Sequence, residues 1–177
     1  MEPNDDLIVT ELRDGRIVQI RPIVPSDDTA LVRFHEGLTN ETTRLRFFTL
    51  HPHLTPREVD RFTHVDHHDR EGLVALDGDA IVAVGRYDRI PDTTEAEVAF
   101  VVADSWQGKG VGTSLLEQLA HRARAEGITQ FVADTLGDNH RMQHVFRNSG
   151  LMVHCGWHAG VVNVVLDLGL EPSANRG

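Results

Sequence analysis

The chain holds one cysteine, Cys155, among 177 residues. A lone thiol excludes an intrachain disulfide and any cysteine-rich metal site. Lysine is equally scarce, with Lys109 the only one, and Tyr87 is the single tyrosine. No apolar run approaches the ~20 residues that a membrane-spanning helix needs. The opening "MEPNDDLIV" also lacks the basic and apolar blocks of a secretory signal. These absences predict a cytoplasmic protein with no membrane partner. An excess of basic charge is missing too: the formal net charge is −10. A nucleic-acid partner, which calls for a basic face, is therefore not expected.

What is present is ordinary for a globular protein, with 40% hydrophobic and 25% charged residues. The length predicts one domain over residues 1–168, and the tail 169–177 carries no packing pattern. Control in cis by an attached regulatory domain is not expected. Charge is uneven along the chain. Between Asp104 and Arg147, five basic residues (Lys109, Arg122, Arg124, Arg141, Arg147) balance five acidic ones (Asp104, Glu117, Glu126, Asp134, Asp138). A polyanionic ligand is best tolerated by that neutral segment.

Local signals give a coarse map. Asp14-Gly15 and Asp77-Gly78 each sit between apolar runs and predict hairpins. Ser26 is placed to cap a helix running to Gly37, and a short helix is expected over Glu41–Arg46. Thr55, Pro56 and Glu58 form a capping box with proline at the first helical position, predicting a helix over 56–63. "EAEVAFVVA" (95–103) reads as a strand. Val111, Leu115, Leu116, Leu119, Ala120 and Ala123 form the apolar stripe of a helix over 110–126, stopped by Gly127. "ITQFVADT" is a strand, 139–148 a short helix, and 151–168 a last strand pair. The order does not alternate strictly enough for a doubly wound sheet, so the fold class is mixed α/β.

Between the 95–103 strand and the long helix lies "QGKGVGT". Gly108, Gly110 and Gly112 bare the backbone where the unpaired amides and positive dipole of a helix start make an anion site. Lys109 adds a charge and Gln107 a side-chain amide. Composition alone leaves two readings, a phosphate cradle or a tight turn without ligand. The nucleoside-triphosphate loop is excluded, because Lys109 stands in the wrong place. The dinucleotide pattern G-x-G-x-x-G is nearer, with Asp134 near the ribose-binding position. It follows an antiparallel run, however, where that motif calls for a parallel unit, and stays a minor alternative.

The spacing Q-x-x-G-x-G of Gln107, Gly110 and Gly112 resembles the acyl-CoA pyrophosphate loop of the GCN5-related N-acetyltransferase family. The likeness extends over residues 16–168. It takes in "RPIVPSDDTALVRFHEGLTNETTRLRFF" as the opening strand and helices, and Asn139, Phe146 and Gly150 as the pattern of the last helix. Within the family, "AEVAFVVADSWQGKGVGTSLL" is most similar to the catalytic domains of bacterial Pat-type protein lysine acetyltransferases. The resemblance implies a central, mostly antiparallel, splayed sheet flanked by helices, with acetyl-CoA as co-substrate and no metal. It further implies that Gln107, Gly108, Lys109, Gly110, Val111, Gly112 and Thr113 hold the pyrophosphate. The backbone of Phe100, Val101 and Val102 would pair with the pantetheine arm, Asn139 would contact the cofactor's midsection, and Phe146 would also line the cofactor site. The amine acceptor would be a lysine side chain of a protein, an acyl-CoA synthetase for example; a small-molecule amine as acceptor, or a non-catalytic acyl-CoA-binding module, are the alternatives. A monomer or a homodimer is expected.

Acetylating lysine needs a neutral amine, and at an ordinary pKa of about 10.4 only about 0.1% is neutral near pH 7.4, a deficit of roughly 4 kcal/mol. A positioned base meets that deficit. Alternation puts Glu95, Glu97, Ala99 and Val101 on one face of their strand. From the residues alone Glu97 reads equally as a solvated face residue or a base. The Pat resemblance assigns it the role of general base, with Glu95 as fallback. The position that carries a tyrosine acid in many family members is Phe146 here, so no general acid is named. The Val101 amide is expected to stabilise the oxyanion. Histidines 51, 53, 64, 67 and 68 crowd one region but lack the partners of a zinc site. Arg44, Arg46, Phe47 and Phe48 read as core and surface of a short helix.

Overall fold

The computed structural model describes residues 6–169. The tail expected at the C-terminus lies, apart from Gly169, outside the described residues. Strands β1 (Ile8–Glu11) and β2 (Ile17–Pro22) form the first hairpin, closed at Asp14-Gly15 with Gly15 at φ +83°. Helices α1 (Asp28–Glu36), α2 (Asn40–Phe47) and α3 (Pro56–Thr63) follow. Then come β3 (Arg70–Asp77), β4 (Ala80–Arg89) and β5 (Glu95–Val102), then α4 (Val111–Ala125), β6 (Gln130–Leu136) and α5 (His140–Arg147). The last hairpin is β7 (Met152–His158) and β8 (Val161–Asp167). The strands make one eight-stranded sheet in the order β1-β2-β3-β4-β5-β6-β8-β7. Every neighbouring pair is antiparallel except β5 with β6.

That exception positions the site. Parallel partners run only through Glu95↔Gln130, Ala96↔Phe131 and Glu97↔Val132. Both strands continue, but apart, so the sheet splays open beyond Glu97. One face of the sheet is sealed by α4, which buries Leu115, Leu116 and Leu119 against Ala83, Val98 and Phe100. The opposite face is covered by α1 and α3, around Ile23, Leu31, Phe34 and Val74. Gly85 lets these layers close, since a Cβ there would stand 2.8 Å from the Phe100 ring.

Local chemistry sets most element ends. Thr55 Oγ1 accepts from the Glu58 amide while Glu58 accepts from the Thr55 amide, so the capping box over α3 is formed. The start of α1 differs from the expectation at Ser26. Pro25–Asp27 form a 3-10 turn, and α1 begins at Asp28. The reason is Asp27, whose carboxylate accepts from the Val24 amide at 2.9 Å and from both ends of the Arg21 guanidinium at 2.8 Å. That bidentate pair outweighs a serine cap. Among the described residues no helix is long and apolar enough to cross a membrane.

Candidate active site

The three glycines of the β5–α4 loop have two different causes. Gly108 and Gly110 sit at φ +74° and +95°, backbone that side chains rarely adopt. Gly112 has no such strain, but a Cβ there would come within 3.2 Å of Val145 Cγ2, so its bareness lets α4 pack close to α5. The turn delivers the chain into α4 with Ser114 making the first backbone bond, to the Gly110 carbonyl at 3.0 Å. The amides of Val111, Gly112 and Thr113 have no intrahelical acceptor and form the positive end of the helix.

Those amides face a cavity of about 560 Å³. Its walls include Phe100, Val101 and Val102, the loop residues Gln107, Gly108, Gly110, Val111, Gly112 and Thr113, and Asn139. Two residues expected with them stand elsewhere. Lys109 turns to Asp14 of the first hairpin, with Nζ 3.3 Å from Oδ2. Phe146 is buried, packs edge-on to Phe100 at 6.3 Å, and lines the neighbouring cavity. Gln107 does not aim its amide into the open space: Nε2 donates to the Val102 carbonyl at 3.0 Å and to Thr42 Oγ1 at 3.3 Å. Asn139 is the N-cap of α5, its Oδ1 accepting from the Met142 amide at 3.2 Å. Across the rim, Arg44 bridges Glu41 and Asp138, each at 2.8 Å.

The edge of β5 left open by the splay carries a definite set of backbone groups. Ala103 donates to the Val82 carbonyl at 2.8 Å, and Ile90 donates to the Glu95 carbonyl at 2.9 Å. With the register Val84↔Val101, these fix the odd-numbered residues of β5 as the ones bonded to β4. The Val101 amide is therefore used inside the sheet and does not serve as the expected oxyanion donor. The groups facing the opening are those of Phe100 and Val102, and the Val102 carbonyl is the one Gln107 occupies.

A second cavity of about 250 Å³ adjoins the first and shares Leu45, Arg46, Phe100 and Met142 with it. Glu97, Phe48, Asp134 and Phe146 line it. Glu97 is exposed and stands opposite Asp88 on β4. Its face also receives Arg46, whose guanidinium burial and the nearby Arg86 charge depress to a pKa of about 10, Glu97 and Asp88 pulling the other way. Arg46 lies on the short helix expected there, near the end of α2, and stands where the cavities meet. Asp104, whose carboxyl burial alone would raise, is held below the ordinary range by hydrogen bonds from Thr42 and Thr39, which fasten α2 to the loop after β5.

Two further cations were missed. Arg13 lies on the first hairpin, donates its amide to the Lys109 carbonyl at 3.3 Å, and lines the larger cavity. Its Nε is 3.7 Å from where a Cβ on Gly110 would stand. Arg86 comes from β4. Neither has a sequence signal, because each is near the site only through the sheet order. The histidines disperse to separate carboxylates, His51 to Glu58, His64 to Asp60, His67 to Glu71 and His68 to Glu126. Among the described residues no group of three or more His, Cys, Asp or Glu is placed to hold a metal ion.

Comparison with known proteins places this geometry. The model of the acetyltransferase (GNAT) family matches residues 35–151. The acetyltransferase Pat of Mycolicibacterium smegmatis is 30% identical over 146 residues, 81% of this chain and 44% of the relative, so the chain spans under half of that protein's length. The acetyltransferase PA5475 of Pseudomonas aeruginosa is 30% identical over 139 residues, 76% of this chain and 75% of the relative. The crystal structure of the GNAT domain of S. lividans PAT superposes with a TM-score of 0.88 at 39% identity, covering 94% of this chain and 99% of that one. The chain belongs to the acetyltransferase (GNAT) family.

Proposed function

We propose that the protein transfers the acetyl group of acetyl-CoA to lysine side chains of proteins, using Glu97 as general base. The observation that carries this reading is the splay beyond Glu97↔Val132. It opens one strand edge that leads from the helix-start anion site, past Phe100, to a carboxylate. A cofactor laid along that edge has its pyrophosphate at the Gln107–Thr113 loop and the amides of α4. Its pantetheine arm bonds the open groups of Phe100 and Val102 as an added strand. Asn139, on the far wall, meets its midsection. The thioester then sits where the two cavities join, with the acceptor amine entering beside Glu97.

The chemistry follows from that placement. Glu97 takes one proton from the ammonium through a water, and the neutral nitrogen attacks the thioester carbon. The Phe100 amide, on the open edge, faces the oxyanion. Attack has formed the C–N bond, and collapse of the oxyanion restores the carbonyl and breaks C–S. The nitrogen's second proton passes to solvent or to the thiolate, a leaving group with an ordinary pKa of about 8.5 that departs without a tyrosine acid. Phe146 instead packs against Phe100 and fills the wall of the acceptor cavity.

Calorimetric titration with acetyl-CoA and with NAD, followed by a lysine-peptide acetylation assay, tests the reading. Micromolar acetyl-CoA binding without NAD binding, together with acetyl-lysine formation, supports it. Folded protein that binds no acetyl-CoA overturns it. Binding with turnover only on small amines would move the acceptor class from proteins to small molecules.

A further inference from the structure

Behind the cavity that holds Glu97 lies a smaller one, about 40 Å³, with an unusual wall. Leu31, Phe34, Phe62 and Val84 make it apolar, yet Arg46 and Arg86 both face it. Arg86 Nε and Nη1 are buried and have no hydrogen-bond acceptor among the described residues. The nearest carboxylate oxygen is Asp88 Oδ2 at 3.8 Å from Nη1, too long for a hydrogen bond. Asp88 is otherwise engaged, by Arg70 at 2.8 Å and Arg61 at 3.5 Å. The guanidiniums also rest on aromatic rings, Arg86 on Phe62 at 4.3 Å and Arg46 on Phe47 at 4.8 Å.

Two like charges at one apolar cavity oppose folding, and the carboxylates of Asp88 and Glu97 offset them without a hydrogen bond to either guanidinium. Burial depresses the Arg86 pKa below the usual arginine range, as it does that of Arg46. Two buried Arg86 nitrogens still lack an acceptor among the described residues, and the cavity of about 40 Å³ has room for a single group with two oxygens. Its position relates it to the reaction. Arg86 is the cross-strand partner of Ala99, and Glu97 lies two residues along the same face, about 7 Å away. The small cavity shares Arg46, Phe47 and Ala99 with the cavity lined by Glu97.

We propose that Arg46 and Arg86 bind a carboxylate carried by the acceptor, so that the enzyme selects amines with an acidic group beside the reacting nitrogen. This rests on the acceptor entering beside Glu97. On a protein the carboxylate is an aspartate or glutamate side chain next to the target lysine. On a small molecule it is the amino acid's own carboxylate. In either form it neutralises the two guanidiniums and fixes the amine against Glu97.

Two measurements decide it. In the first, the arginine Nε–H signals of wild-type protein saturated with CoA are followed by nitrogen-15 NMR while sodium acetate is added against sodium chloride at equal ionic strength. The Arg46 and Arg86 signals, identified by their loss in Arg46→Lys and Arg86→Lys, are expected to shift saturably and separately from the other arginines. A cavity occupied by water alone gives no saturable shift, which overturns the proposal whatever the acceptor turns out to be.

In the second, CoA release is measured with acceptors offered in pairs: lysine peptides with Asp or Asn beside the lysine, and free lysine or lysinamide. Wild type is expected to favour the carboxylate member of a pair by about tenfold or more in kcat/KM, since a site built for a charged acceptor leaves its donors unpaired otherwise. Arg86→Gln, or Arg86→Lys if glutamine fails to fold, brings that ratio toward one, with acetyl-CoA affinity retained. Discrimination in the peptide pair supports a side-chain source, and discrimination only in the free-lysine pair supports a small-molecule source and overturns the protein acceptor. Equal turnover within every pair overturns the carboxylate site. If no acceptor is turned over, the lysine reading falls and the NMR titration still decides the anion site.

Discussion

Gln107 reaches back across the glycine loop and donates its side-chain amide to the Val102 carbonyl at 3.0 Å. The same nitrogen meets Thr42 Oγ1 at 3.3 Å, so one side chain joins β5, α2 and the loop. Gln107 thus shapes the anion site through its neighbours. Gln107→Leu keeps the volume and removes both bonds. Each neutral hydrogen bond contributes about 1 kcal/mol, so the two together allow acetyl-CoA affinity to fall by up to about thirtyfold while the fold survives. Calorimetry on the variant checks this, and unchanged affinity would show that the loop holds its shape without the glutamine.

Arg13 supplies a positive charge from the first hairpin to the space above Gly110. Among the described residues it has no carboxylate partner, whereas Lys109 is paired with Asp14. Arg13→Gln should weaken acetyl-CoA binding about fivefold at low salt, and by less as screening grows. Dephospho-CoA, which lacks the 3′-phosphate, tells which phosphate is met. If it loses as much affinity as acetyl-CoA in the variant, the contact is with the pyrophosphate. If the variant and wild type bind both alike, Arg13 has no part in the site.

The residues that could be read from the sequence are those whose conformation is decided within a few positions. Thr55, Pro56 and Glu58 announce α3 because the capping box is local, and Gly108 and Gly110 announce the turn because only glycine tolerates that backbone. Ser26 misled because a bidentate Arg21–Asp27 pair reset the helix start. Val101 misled for a different reason. Which amides of β5 face the opening depends on the phase of its ladder with β4, which no feature of "EAEVAF" encodes. Arg13, Arg46 and Arg86 come from a hairpin, a helix and a strand widely separated along the chain. Only the sheet order brings them to the cavities, so no motif could have grouped them.

The Arg21–Asp27 pair also makes a pH prediction. Burial works to raise the Asp27 carboxyl, but hydrogen bonds from Arg21 and the Val24 amide outweigh it and hold the folded value below the ordinary 3.8. A depressed folded value stabilises the protein fully above the unfolded pKa, and that contribution is lost as pH falls through the folded one. Asp27→Asn leaves Arg21 half-buried and unpaired, at a cost of about 2 kcal/mol near neutral pH. Urea unfolding at pH 7 and at steps below pH 4 should show the gap between wild type and variant closing as the acid limit is approached. A gap that persists at the lowest pH would mean that packing around Asp27, and not its charge, was lost.

Glu97 is exposed and lines the second cavity, which suits a base that works through water and leaves the fold indifferent to its charge. Glu97→Gln should therefore unfold at the wild-type temperature and bind acetyl-CoA with wild-type affinity. Its kcat should drop about 10²- to 10⁴-fold, the usual weight of a positioned base. Proton removal also gives the loss a pH signature. As pH rises toward the ordinary lysine value of about 10.4, the amine deprotonates unaided, and the deficit of the variant should shrink. A deficit constant across pH would make Glu97 a binding residue for the acceptor. Equal rates in wild type and variant at every pH would remove the carboxylate from the mechanism.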